Sequence, residues 1–389
     1  MEGPILVVGA GIGGLACAAA LRKVGFEVRV FERASELGEV GAGLGLWTNA
    51  IRALRTIGID GGFFARHGCP VRAGEAGTSD GRVVSRFSVA RLAEAYGAPS
   101  YVVHRADLHR VLADAVDPAR VTLGAECVGV ASDDDGVTVR FADGTEARGA
   151  IAIGADGLRS AVRASLFGDE PPRYAGETCY RGIAAHAVDD LHTLREVQGR
   201  GLRCAVCVLG PDRVYWWATH RAPEGETDDP RTRKSRLASL FDGFAFGFPE
   251  ALAATEPDAI LRNDLYDRPP TTTWHAGRAV LIGDAAHPTT PNLGQGACMA
   301  IEDAVVLARC LVEHEPDPGA AFRAFEAERT ERCARIVEQS RTVGRVGTWS
   351  NPLAVAVRTM AFRLMPDAMM ERAMREHLGY DAGPLPARA

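Results

Sequence analysis

Ile5-Leu6-Val7-Val8-Gly9-Ala10-Gly11-Ile12-Gly13-Gly14 is a short apolar run that opens into four glycines within six positions, and the alanine-rich segment Leu15 to Val24 follows at once. A buried strand, a turn that needs glycine and a helix read directly from that order. A second strand, Glu27 to Phe31, is followed by Glu32, 18 residues after Gly14, which completes a βαβ unit with G-x-G-x-x-G spacing. Absent side chains let the backbone approach a pyrophosphate at the positive end of the helix, and the carboxylate accepts hydrogen bonds from a ribose. Gly9, Gly11, Gly13, Gly14 and Glu32 are therefore candidate dinucleotide ligands. The fingerprint does not separate FAD from NAD. No second copy of it occurs, so one resident dinucleotide is expected.

Outward from this unit, a glycine-rich stretch from Gly38 to Gly45 precedes Asn49, which is expected to cap a short helix ending near Gly58. Another helix is expected to start near Arg105, and strands over Val121 to Val130, Val137 to Phe141 and Ala150 to Gly154. From Pro171 to Pro270 the pattern changes to alternating strands with aromatic positions, among them Tyr215, Trp216 and Trp217, which reads as an inserted antiparallel sheet. A buried strand returns at Ala279 to Ile282, followed by helices over about 294–311 and 320–343. The expected division is 1–70, 97–168 and 272–350 for the dinucleotide domain, 71–96 and 169–271 for the sheet domain, and 351–389 for a C-terminal helical segment.

The chain has 389 residues, 47% hydrophobic and 24% charged, enough for two substantial cores. A formal charge of -6 offers no basic field for nucleic acid. Residues 1–9 run straight into a strand and leave no room for a signal peptide, and nine scattered cysteines suit a reducing compartment, so a cytoplasmic location is expected. Cys204 and Cys207 lie in a strand-like run, Leu202 to Leu209, where an offset of three sends side chains to opposite faces. That spacing argues against a metal or redox pair, and no metal site is expected elsewhere. Asp133, Asp134 and Asp135 read as a solvated turn. The segment Pro352 to Met370 is broken by Arg358, Arg363 and Asp367 and cannot span a bilayer. Packing on its own domain is the first expectation for it, and contact with a membrane surface the alternative.

Two further motifs follow apolar strands. One is Gly154-Ala155-Asp156-Gly157-Leu158-Arg159-Ser160; the other is Gly283-Asp284-Ala285-Ala286-His287-Pro288, continuing through Pro291-Asn292-Leu293-Gly294-Gln295-Gly296 to Glu302-Asp303-Ala304. With the first turn, these resemble the three signatures of the para-hydroxybenzoate hydroxylase-like, single-component flavoprotein monooxygenases, over nearly the whole chain. The resemblance implies an α/β fold: a Rossmann-like FAD-binding domain, an inserted antiparallel-sheet substrate domain and C-terminal helices. It implies that Asp284 contacts the FAD ribityl or pyrophosphate region, that Pro291 to Gly296 lies along the isoalloxazine, and that Asp156 and Arg105 meet the cofactor. It adds Arg33, Gly43, Val128, Gly283 and Ala297 to the cofactor surface, beside Pro291, Gly294, Gln295 and Gly296. Gly176 to Arg181 and the Cys298-bearing third signature are similar to zeaxanthin epoxidase-like, urate hydroxylase-like and alkyl-quinolone hydroxylase enzymes, and Val343 to Trp349 leans toward the quinolone group.

What the resemblance implies chemically is a resident FAD reduced by transient NADH or NADPH, with no obligatory partner reductase. O2 then reacts to give a flavin 4a-hydroperoxide that hydroxylates a small hydrophobic aromatic or heteroaromatic substrate. Epoxidation of an alkene or polyene, or O2-independent reduction on the same fold, stays open, as does a non-catalytic flavin carrier. Arg203 and Tyr215 match positions that orient substrate or catalyse in urate hydroxylase-like enzymes; a surface arginine and a core tyrosine are the alternatives. His287 is expected to support its loop and not to move protons.

Overall fold

The computed structural model describes residues 3–38, 42–188 and 190–388. Residues 39–41 of the expected glycine-rich stretch lie outside the described residues, as do Met1, Glu2 and Ala389 of the terminal segments and Asp189 of the sheet segment. Ile5–Val8 pairs in parallel with Val28–Phe31 on one side and with Ile151–Gly154 on the other. Ala279–Leu281 and Val121–Thr122 extend the parallel set, and His275–Ala276 closes one edge antiparallel, giving six strands. Both central strands are buried along their length, as a parallel sheet covered on two faces requires. The helices Ile12–Lys23 and Gly296–Glu313 pack on each other within this core.

The second large sheet has seven strands in the order Leu261–Asp267, Arg173–Ala185, Arg213–Arg221, Leu202–Gly210, Thr193–Gln198, Ala73–Thr78 and Val83–Ser88. It is antiparallel except where Thr193–Gln198 runs parallel to Ala73–Thr78. Alternation along Arg213–Arg221 sends Val214, Trp216 and Ala218 into one core and Tyr215 into another. Cys204 and Cys207 divide between the same two cores, and burial raises both thiol pKa values, that of Cys207 to about 12.

Three sequence expectations need correction. Asn49 is not a cap: the helix is Thr48–Ile57 with Trp47 at its N-cap, and the Asn49 side chain turns into the core instead. The stretch Val121 to Val130 is not one strand but two, Val121–Thr122 in the parallel sheet and Cys127–Ser132 at the edge of a separate three-stranded sheet. The C-terminal segment forms two helices, Pro352–Leu364 and Asp367–Leu378, and the first does not pack its apolar stripe on the domain but turns it outward. Among the described residues no helix is long and apolar enough to cross a membrane.

Candidate cofactor and substrate site

In the first turn each glycine has its own work. Gly9 takes φ +102°, and a Cβ there would lie 2.5 Å from the Ala155 carbonyl oxygen. A Cβ on Gly14 would stand 2.0 Å from the Gly9 oxygen, and one on Gly13 would press on Ala300 of the facing helix. Gly11 differs, because a Cβ there meets nothing within 4 Å. The space before it lies at the N-terminus of Ile12–Lys23, a helix with no capping side chain and no acid in its first turn. Backbone N–H groups are thus left to meet an anion. Glu32 accepts hydrogen bonds from Ala10 N at 2.7 Å and Ala34 N at 2.9 Å, which fixes its carboxylate beside the turn. Arg33 is exposed next to it.

The turn Gly283–Ala285 is held by charge. Gly283 N donates to Asp303 Oδ2 at 2.9 Å, and His287 Nε2 lies 2.6 Å from the same oxygen. Arg329 reaches Asp303 at 2.8 Å and Glu302 at 2.6 Å, and all three are 0% exposed. Burial alone would raise the Asp303 carboxyl, but His287 and Arg329 hold its pKa down to about 2. For His287 burial opposes protonation, yet Cys333 and Asp303 raise its pKa well above the ordinary value. His287, Asp303 and Cys333 could form a metal-ligand set by distance. The Arg329 guanidinium already donates to Asp303 and to Cys333, and it would repel a cation there.

Glu302 also binds Arg332 and Asn49, and Asn49 donates to Gln295 Oε1 at 2.9 Å. Asn49 Oδ1, Gln295 Nε2 and Trp47 Nε1 are buried with no hydrogen-bond partner. These polar atoms belong to residues flanking the loop of Gly294 and Gly296. Gly294 takes φ +62°, and a Cβ on it would be 2.9 Å from Trp47 Nε1. Buried donors and acceptors without partners are costly unless a ligand meets them. With the open face of Gly11, these unpartnered polar atoms fit a bound FAD. Asp284 is accessible to water yet recessed, and desolvation raises its pKa against the lowering effect of His287 and Arg105.

Asp156 is engaged within its own motif: it accepts Ser160 Oγ at 2.5 Å and Val162 N at 3.1 Å. Arg105 opens the helix Arg105–Val116, with its N–H on the Ala42 oxygen. Val128 is 58% exposed on an edge strand, Pro291 is exposed at the start of the loop leading to Gly296, and Ala297 stands in the first turn of the helix that follows.

On the sheet side, Tyr215 packs against the backbone of Gly43, where a Cβ would come within 2.3 Å of its ring. Burial raises its phenol pKa, so the hydroxyl keeps its proton. Arg203 is wholly buried. It donates to Glu196 at 2.9 and 3.1 Å and to Asn292 Oδ1 at 2.6 Å, and lies over the Trp217 ring at 5.3 Å. A Cβ on Gly347 would meet it at 2.4 Å. The surface-arginine alternative is therefore excluded, and the side chain ties the sheet to the loop two residues before Gly294. Sequence reasoning gave Asn49 only as a cap and Asn292 no role of its own, and it missed Glu196 and Arg329. Only Asn292 stood inside a motif.

A surface groove of about 440 Å³ runs beside the Asp156 motif, lined by Arg163, Phe167, Glu170 and Thr271 to Thr273. Arg163 and nearby Arg268 are each 7% exposed and donate only to backbone carbonyls, Arg163 to Ala285 and Ala286. Arg268 Nε has no partner.

Residues 2–340 match the profile of the FAD binding domain family. Aurachin C monooxygenase/isomerase of Stigmatella aurantiaca is 41% identical over 97% of this chain and 98% of its own. The 2-heptyl-3-hydroxy-4(1H)-quinolone synthase of Pseudomonas aeruginosa (strain UCBPP-PA14) is 35% identical over 95% and 96%. HpxO of Klebsiella pneumoniae, solved with FAD and uric acid, superposes with a TM-score of 0.90 at 30% identity over 98% of each chain.

Proposed function

The chain belongs to the FAD binding domain family and is an FAD-dependent monooxygenase that uses NAD(P)H and O2, and from that premise we propose that its substrate is a neutral 4(1H)-quinolone carrying an apolar tail. One observation carries the substrate assignment. Arg203, wholly buried on the sheet side, is already neutralised by Glu196 and bound to Asn292, so it offers no free charge to a carboxylate. What remains around Gly43 and Gly294 is aromatic: Trp47 and Tyr215. Such a wall suits a flat, uncharged ring. Two relatives over nearly their full length are a quinolone synthase and aurachin C monooxygenase, which fits this reading.

When bound, FAD supplies the hydride acceptance and oxygen activation of the reaction. The protein's part is positional. We assign Gly9, Gly11, Gly13, Gly14 and Glu32 to its pyrophosphate and ribose, and the loop from Pro291 to Ala297 to its ring. The helix Gly296–Glu313 has no acid in its first turn, so its N-terminal dipole favours negative charge on a reduced ring beside it. Arg203 holds Asn292, and with it the loop, against the sheet. Tyr215 presents a protonated hydroxyl and an aromatic face to the substrate, and the packed aromatic wall excludes water. The groove beside Arg163, with Arg268 near it, receives the phosphates of NAD(P)H: both guanidinium groups donate to backbone carbonyls and form no ion pair with a carboxylate among the described residues, although Glu170 and Asp169 lie near enough to temper their charge. Reduction needs no partner protein.

The test is anaerobic bleaching of the bound flavin by NADH and NADPH with 4-quinolones, phenolic acids, purines and polyenes, followed by O2. Alkyl-quinolones should speed bleaching and leave as hydroxylated product. Acceleration by phenolic acids or urate alone would overturn the substrate assignment, and no reduction under any condition would overturn the self-contained cycle.

A further inference from the structure

The helix Pro352–Leu364 is built inside out. Its buried side chain is Arg358, which donates to Gly347 O at 2.6 Å, Gly199 O at 2.9 Å and Val346 O at 3.2 Å. Its large apolar side chains point away: Leu353, Val357, Met360 and Leu364 are 78%, 64%, 52% and 71% exposed. Spacings of four, three and four residues place them on one face, a stripe roughly 16 Å long. Met369 in the next helix is 60% exposed as well.

Two observations choose what covers this stripe. First, the helix carries no acidic residue and presents Arg363 exposed beside the stripe, while Arg358 is buried beneath it and Arg86 of the strand Val83–Ser88 packed against it is paired with Glu75. Second, four side chains on one helix cover on the order of a few hundred Å², whereas a stable dimer buries about 800 Å² per partner. Too small for a second copy, free of acidic residues along the helix and bordered by the exposed Arg363, the face matches an anionic lipid surface. We infer that the helix Pro352–Leu364 seats the protein on such a surface, with its apolar stripe at the acyl boundary and Arg363 among the headgroup phosphates. Arg358 anchors the helix to Gly347, which itself packs on Arg203, so the docked face is one layer from the sheet side of the candidate site. The docking does not depend on the substrate assigned above.

The test is cosedimentation of the FAD-loaded protein with vesicles of phosphatidylcholine and phosphatidylglycerol, and with phosphatidylcholine alone. The protein should pellet with the anionic vesicles and less with the neutral ones. Leu353→Glu/Leu364→Glu should keep its FAD absorbance and lose binding at least ~tenfold. Arg363→Glu, at an exposed position, should lower binding to anionic vesicles only. A protein that stays in the supernatant with both vesicle types overturns the inference. So does a concentration-dependent dimer, measured without lipid, that the double substitution dissociates, because the stripe is then a seam between copies.

Discussion

The turn over Gly9 to Gly14 owes its shape to places where no side chain fits, whereas the turn over Gly283–Ala285 owes its shape to buried charge. In the first, crossing backbones come so close that a Cβ on Gly14 would stand 2.0 Å from an oxygen. In the second, Asp303 gathers an amide, an imidazole and a guanidinium on one carboxylate. A steric turn is written locally and tolerates no insertion of atoms. An electrostatic turn is written across a core and tolerates no loss of a partner.

The comparison breaks first, and most severely, at Arg329. Its replacement by methionine leaves Glu302 and Asp303 buried with too little positive charge and should cost about 3–5 kcal/mol, read as a lowered denaturation midpoint of the apoprotein. Gly14→Ala should cost roughly 1–3 kcal/mol by overpacking and yield protein that purifies without its yellow colour. Arg268→Gln touches neither turn and should leave FAD in place while raising KM for NAD(P)H about tenfold, a loss of ~1.4 kcal/mol. Gly11→Ala gives the smallest structural effect. The apoprotein melting temperature should hold, because the added Cβ meets nothing, while calorimetric FAD affinity falls.

Acid sharpens the same contrast. The Asp303 pKa is depressed in the folded protein, to about 2, against ~3.9 unfolded. Its contribution is therefore complete above about pH 4 and is lost as pH falls toward 2. Denaturant midpoints measured across that window should decline, and Asp303→Asn should flatten the decline attributable to this group.

The steric turn was legible in the sequence because all its parts lie within a short window: strand, four glycines, helix and Glu32. The electrostatic turn was half legible. Its motif, from Gly283 to Asp303, could be read, but Arg329 and Arg332 stand on a later helix among many similar arginines, and nothing local marks them as buried. Arg203 shows the same limit. The resemblance marked its position but not the Glu196, Asn292 and Gly347 that enclose it, since two of these come from elements some 90 and 140 positions further along the chain. The residue type of Asn49 favours a cap, but the core amide network, invisible in the local sequence, claims its side chain instead.

The parallel seam in the large sheet has a consequence for the birth of the protein. Ala73–Thr78 and Val83–Ser88 leave the ribosome as a hairpin whose partner, Thr193–Gln198, follows about 115 residues later. At ~5–20 residues per second that is a wait of roughly 6–23 s. During it an unpaired strand edge is open to neighbouring nascent chains. A pause in translation shortly after residue 88 lengthens this exposure and favours clumping, while a pause after residue 198 lets the seam close.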